Sequence, residues 1–160
     1  MSQPAELQNE LTQRQRKASI IVVIFLVLTL ALLAAAFWGA RTIYRPGDPG
    51  IIWPLRIVVL VLGLGAVVLR RTRFNAMRLK DIAAVKGASA LLKALQDTTI
   101  QIACVGGAIA LLGFVITIRT ADWSDMLRAA GVALIVLFYV YPIKTSWERA
   151  LAMLAPPNEQ

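Results

Sequence analysis

The residue types that most often carry chemistry in proteins are scarce in this sequence. It contains no histidine and a single cysteine, Cys104. Without imidazole the chain lacks the commonest ligand of haem and zinc and the commonest general base, and one cysteine allows neither an intrachain disulfide nor a CxxC redox pair. We therefore predict no catalytic set, no metal site and no cofactor.

Arg56 is the one ionisable residue placed well inside an apolar run of the sequence. Such a residue is a functional hypothesis by default, which makes Arg56 a candidate site for an anionic group at the outer leaflet of a membrane. The alternative is that Arg56, about 8 Å from the start of its helix, extends its guanidinium to the interface. The position of Arg56 favours this second interpretation.

The densest positive charge lies between residues 70 and 98. Basic residues near a membrane surface attract anionic lipid by about 1 kcal/mol each, and those further from it are available to a protein partner. The segment has one aromatic residue, Phe74, and no nucleic-acid-binding motif, so no nucleic-acid partner is predicted. The candidate lipid or partner contacts are Arg73, Arg78, Lys80 and Lys86.

Composition indicates the elements that position these residues. Of the 160 residues, 58% are hydrophobic and 16% are charged, whereas soluble domains have about 45–50% and about 25%. Runs of about 20 apolar residues, enough to cross a bilayer as a helix, occur four times. They cover residues 18–40, 51–69, 99–118 and 127–143. The sequence predicts an all-α integral membrane protein, a single membrane domain over residues 1–160 formed by an antiparallel bundle of four transmembrane helices.

The distribution of lysine and arginine predicts the orientation of this bundle. Twelve of the 17 basic residues lie on the side shared by both termini and the 70–98 connector. Cytoplasmic flanks of membrane helices retain such residues, so both termini are predicted to be cytoplasmic, and a bacterial inner membrane is the preferred location. The first run ends in Phe37 and Trp38 and exceeds the length of about 7–15 residues usual in signal peptides, which favours a retained helix.

Two segments beyond the spans are predicted to be helical. Helices two and three extend into a cytoplasmic hairpin over residues 70–98 that closes near Gly87, since glycine commonly ends a helix. A C-terminal juxtamembrane helix is predicted over residues 144–155, after Pro142. On the outer side, Asp122 and Ser124 are candidate N-caps for the fourth span.

Small residues mark the third span as a packing helix. Gly106, Gly107, Ala110 and Gly113 allow close approach of another backbone, which is how helices associate in lipid. These residues are interpreted as packing against Gly63, Gly65 and Ala66 of span two, and the alternative is a seam with a second copy or with a partner protein.

A non-catalytic polytopic membrane protein is the function that these patterns favour. It would be an accessory, assembly or scaffolding subunit that contacts anionic lipid or a membrane protein partner through its basic hairpin. The alternative is a small membrane transporter or a lipid-modifying membrane enzyme acting as a homo-oligomer. Proton-coupled transport usually needs an intramembrane carboxylate, and no Asp or Glu lies within the four apolar runs.

Overall fold

The described residues of the computed structural model are 3–39, 42, 49–73, 76–143, 145, 147 and 148, without the side chains of 3–5, 49 and 76–86. They form four α-helices, and each contains a stretch long and apolar enough to span a membrane. The helices are α1 (Gln3–Gly39), α2 (Pro49–Arg73), α3 (Ala76–Thr120) and α4 (Trp123–Val140). The prediction of an all-helical chain with four candidate membrane helices is confirmed, and these helices suggest an integral membrane protein.

Helix α1 begins well before the apolar run that predicted it. Its first part is amphipathic, and the buried Leu11 and Ala18 pack in one cluster with Leu91, Leu92 and Trp147. The hydropathy of this part is too low to indicate a span, so the apolar run does not predict it. Tertiary packing of its apolar stripe accounts for the added helix.

Polar contacts fix the same part of α1 against α3. The carboxylate of Glu10 accepts a hydrogen bond of 2.7 Å from the Ser89 hydroxyl and forms a 2.8 Å ion pair with Arg14. Arg14 also approaches the side chain of Gln96 at 3.5 Å. These contacts set which turn of α1 lies beside which turn of α3.

Helix α3 packs against each of the other three helices. Ile102, Ile109 and Ile116 recur every seventh residue and are buried, the spacing of a left-handed helix-packing seam. Gly87 interrupts the helix with φ 79° and ψ 173°, a left-handed conformation that glycine adopts without steric cost. The predicted cytoplasmic hairpin over residues 70–98, closing near Gly87, stays a prediction.

Helix α4 begins four residues earlier than the apolar run suggested. Asp122 is the N-cap, with Oδ1 accepting a 2.9 Å hydrogen bond from the backbone N–H of Ser124. The helix ends at Val140, two residues before Pro142, since the residue preceding proline is disfavoured in helical geometry. Most of the predicted juxtamembrane helix over 144–155 lies outside the described residues.

Large apolar side chains cover the outer faces of the helices. Helix α2 shows this most clearly, with Leu60, Val61, Leu64 and Val68 all exposed. Such a surface would aggregate in water but is what a helix presents to lipid.

Candidate functional site

An ion pair joins α2 to α4 near one end of the bundle. Arg56 Nη2 lies 2.8 Å from Asp125 Oδ2, and Thr120 Oγ1 donates a 3.2 Å hydrogen bond to the same carboxylate oxygen. Asp125 is in the first turn of α4, and its side chain is 3% exposed. The carboxylate is thus held by a cation and a hydroxyl in a site with little access to solvent.

A second cation lies beside this pair. Arg128, one turn further along α4, is 3.9 Å from Asp125 Oδ1 and its side chain is 75% exposed. Arg56 is 38% exposed, yet its Nε is buried and has no hydrogen-bond acceptor among the described residues. Two guanidinium groups therefore share one carboxylate, and one N–H of Arg56 remains unsatisfied.

A cavity of about 350 Å³ opens beside the ion pair, between α2 and α4. The two helices approach closely at Gly63, where a Cβ atom would come within 2.6 Å of Val132 Cγ1. Small-residue contacts of this kind let helix backbones approach in lipid. The cavity is lined by Trp53, Arg56, Val59, Leu60, Ile116, Asp125, Arg128, Ala129 and Val132.

Arg56 is identifiable in the sequence, whereas its partner Asp125 is not. The apolar run predicts a fourth span that begins at Leu127, which leaves Asp125 in the preceding loop. The signal was present in Asp122, because an N-cap there starts the helix at Trp123 and places Asp125 in its first turn. Asp125 is accordingly a buried carboxylate within a candidate membrane helix, with its charge balanced by Arg56.

The loop residue Asp122 lies outside the spans at this end. Its carboxylate also accepts a 2.8 Å hydrogen bond from the Ser124 hydroxyl. The backbone and side-chain hydrogen bonds from Ser124 hold the pKa of Asp122 below its usual value, because they favour the ionised form. Asp122 is therefore engaged as a helix cap.

Basic side chains collect at the opposite end of the bundle. The Arg70 guanidinium lies 3.8 Å from the centroid of the Tyr139 ring, a cation–π contact between the end of α2 and the end of α4. Gln15 of α1 donates a 3.1 Å hydrogen bond to the Pro142 carbonyl at the same end. The exposed basic residues near these contacts, called here the basic end, are Arg16, Lys17, Arg71, Arg73 and Lys93.

Of the four predicted lipid or partner contacts, the structure describes one side chain. Arg73 is the last residue of α2 and is exposed. Arg78, Lys80 and Lys86 belong to the first part of α3, where the side chains lie outside the described residues. Their role stays a prediction.

The small residues of α3 meet α1 and α4. A Cβ at Gly107 would collide with the ring of Phe25 in α1, and one at Gly106 would lie 3.1 Å from Leu137 in α4. These neighbours differ from the glycines of span two that the sequence suggested.

The next small residues continue this surface. A Cβ at Gly113 would collide with Ala129 of α4, and Ala110 is fully buried. The adjacent Gly106 and Gly107 meet different helices because neighbouring positions on a helix point about 100° apart. The close approaches lie within this chain and leave Gly106, Gly107 and Gly113 covered.

Comparison with known proteins gives no relative from which a role could be transferred. No family model, curated protein or solved structure matches the chain. Its function must be argued from the geometry of the two ends.

Proposed function

We propose that this chain is a non-catalytic integral membrane protein that acts as an accessory, assembly or scaffolding subunit. Its four helices form an antiparallel bundle in a bacterial inner membrane, with both termini and the hairpin over 70–98 in the cytoplasm. Its basic side binds anionic lipid or a membrane protein partner.

The antiparallel arrangement is supported by contacts at both ends of α1 and α4. Phe37, late in α1, stacks edge to face on Trp123, the first residue of α4, with ring centroids 5.7 Å apart. Gln15, early in α1, bonds the carbonyl of Pro142, which follows the end of α4. Early residues of one helix therefore lie beside late residues of the other.

The observation that carries the proposal is the clustering of exposed basic residues at one end of the bundle. The basic end combines cations from α1, α2 and α3, while the outer faces between the two ends are apolar. This is the distribution expected of helices whose cytoplasmic ends lie at an anionic membrane surface.

The free energy of attraction between the basic end and an anionic membrane surface follows from the charges near that surface. At about 1 kcal/mol for each basic residue near the headgroups, the five residues of the basic end contribute at most about 5 kcal/mol. Glu6, Asp97 and Glu148, also exposed on this side, oppose part of this attraction. The net effect is enough to enrich anionic lipid around the protein and to orient a soluble or membrane-bound acidic partner.

A partner inside the membrane would use the apolar outer faces. Leu60, Leu64 and Val68 form an exposed strip along α2, at successive turns of the helix. Such a strip can contact lipid tails, a second copy of the chain or the helix of another subunit. The subunit proposal therefore has an interaction surface in the membrane as well as one at the basic end.

The experiment that tests this function is purification of the tagged full chain from its native membrane in mild detergent. Mass spectrometry identifies co-purifying proteins, and extraction identifies bound lipids. A stoichiometric partner together with enriched anionic lipid is the expected result. A homo-oligomer that carries a small-molecule substrate and no partner would contradict the proposal and favour a transporter or an enzyme.

A further inference from the structure

The lining of the cavity between α2 and α4 has a charged part and an apolar part. One part of its lining carries the guanidinium groups of Arg56 and Arg128, and the rest is apolar, including Leu60 and Val132. Its volume of about 350 Å³ falls within the range of about 300–1,000 Å³ found for ligand sites. It lies near the end of the bundle opposite to the basic end.

The charge of the lining favours an anion. Two guanidinium groups face one carboxylate, so the lining carries an excess of one positive charge. Asp122 lies outside the lining, but its carboxylate remains charged when it accepts hydrogen bonds from Ser124, and it offsets part of this excess because it interacts electrostatically with both arginines. Arg56 Nε is buried and has no acceptor among the described residues, so an anionic oxygen would reach this donor only after a shift of the side chain.

The apolar lining favours an anion that carries a hydrocarbon chain. Leu60 is 58% exposed at the rim of the cavity, and Val59, Ile116 and Val132 continue the apolar surface. A free inorganic anion would leave this surface uncovered. A lipid that inserts a chain from the surrounding bilayer would cover it without crossing water.

We propose that the cavity binds one membrane phospholipid, with its phosphate between Arg56 and Arg128 and an acyl chain against Leu60 and Val132. The proposal assumes that the chain lies in a membrane, as argued above, and is independent of the basic end. Arg56 is held in place by Asp125, so one guanidinium is positioned before the lipid arrives. Arg128, exposed and 3.9 Å from Asp125, can rotate toward the phosphate.

Native mass spectrometry of the delipidated full chain in detergent, titrated with phosphatidylglycerol, tests the headgroup contact. Arg128→Gln should weaken the tightest lipid-binding event about tenfold, as expected for one lost charge-assisted hydrogen bond. The matched control is Arg119→Gln, because Arg119 is also exposed but lies outside the cavity lining. Equal affinity of the two variants would overturn the proposal.

A second pair of variants tests the acyl chain. Leu60→Phe should narrow the cavity and weaken the same binding event several-fold, whereas Leu64→Phe, one turn away and outside the lining, should leave it unchanged. Binding of inorganic phosphate as tightly as the lipid would show that the acyl chain contributes nothing and would overturn the assignment.

A basic-end variant separates this inference from the proposed function. Arg71→Gln with Arg73→Gln should leave the tightest lipid in place. Loss of that lipid in this variant, with retention in Arg128→Gln, would assign it to the basic end and exclude the cavity. Loss of a protein partner alone would concern only the subunit proposal.

Discussion

The Arg56–Asp125 ion pair provides the sharpest energetic prediction. Arg56→Met removes the closer cation and leaves a carboxylate whose side chain is 3% exposed, with the Thr120 hydroxyl and the more distant, exposed Arg128 as its remaining partners. Asp125→Asn instead leaves a guanidinium that is 38% exposed and can reach water. The first substitution should therefore destabilise the bundle more than the second.

The expected loss in the free energy of unfolding depends on how deeply the remaining partner is buried. Removing one side of a fully buried ion pair costs about 3–5 kcal/mol. We expect about 3 kcal/mol for Arg56→Met, where the orphaned carboxylate is buried, and about 1.5 kcal/mol for Asp125→Asn, where the orphaned guanidinium is partly solvated. The double variant should cost less than Arg56→Met alone, because Asp125→Asn then removes the orphaned buried charge, which corresponds to a coupling energy of more than about 1.5 kcal/mol.

Denaturant unfolding in detergent micelles, followed by circular dichroism, measures the free energy of unfolding for all four members of this cycle. Arg128→Gln is the control, because Arg128 is 75% exposed and 3.9 Å from Asp125, so its loss should change stability by less than about 0.5 kcal/mol. Additive effects of Arg56→Met and Asp125→Asn would refute the argument that the two side chains form one energetic unit.

Three further outcomes are expected. In a cysteine-free background, cysteine at Gly87 should react with an impermeant maleimide only from the cytoplasmic side and cysteine at Ser124 only from the other; labelling of both from one side would contradict the four-span topology. Gly107→Leu should destabilise the bundle by about 1–3 kcal/mol through its collision with α1, whereas Gly65→Leu, with no atom near its Cβ direction, should not; equal thermal stability of the two would contradict the packing. Asp122→Ala should cost about 1 kcal/mol at neutral pH. Folding lowers the pKa of Asp122, so its ionised carboxylate stabilises the fold fully above its unfolded pKa of 3.8. This stabilisation is lost as the pH falls through the folded pKa. The free energy of unfolding, measured over a series of acidic pH values, should show this loss in the parent but not in Asp122→Ala.

Much of the helical architecture could be predicted because hydropathy is a local signal. Four uncharged or nearly uncharged runs locate four helices, and an aspartate N-cap locates the start of α4. Hydropathy could not locate the first part of α1, which carries Glu10 and Arg14 and is helical through packing of Leu11 against α3. Its stripe of apolar residues is visible in the sequence, but its partner is not.

The candidate sites depend on which helices become neighbours, and the sequence alone could not supply that. Arg56 was identifiable as a charge in an apolar run, whereas its pairing with Asp125 depends on α2 lying beside α4 at that height. The glycines of α3 were identifiable as packing residues, yet Gly107 meets Phe25 of α1. Spacing shows which residues share a face, but only the assembled bundle shows what the face contacts.

The central claim, that the basic cytoplasmic side recruits anionic lipid or a protein partner, is tested most directly by one variant. In it Arg73, Arg78, Lys80 and Lys86 are replaced by glutamine, and bound lipids and co-purifying proteins are compared with those of the parent and of Arg119→Gln. The account predicts a folded, correctly oriented protein that has lost phosphatidylglycerol and cardiolipin, or its partner, with the loss of lipid reproduced in the parent by raised salt. Unchanged lipids, partners and growth would contradict the account and leave these charges as determinants of topology alone.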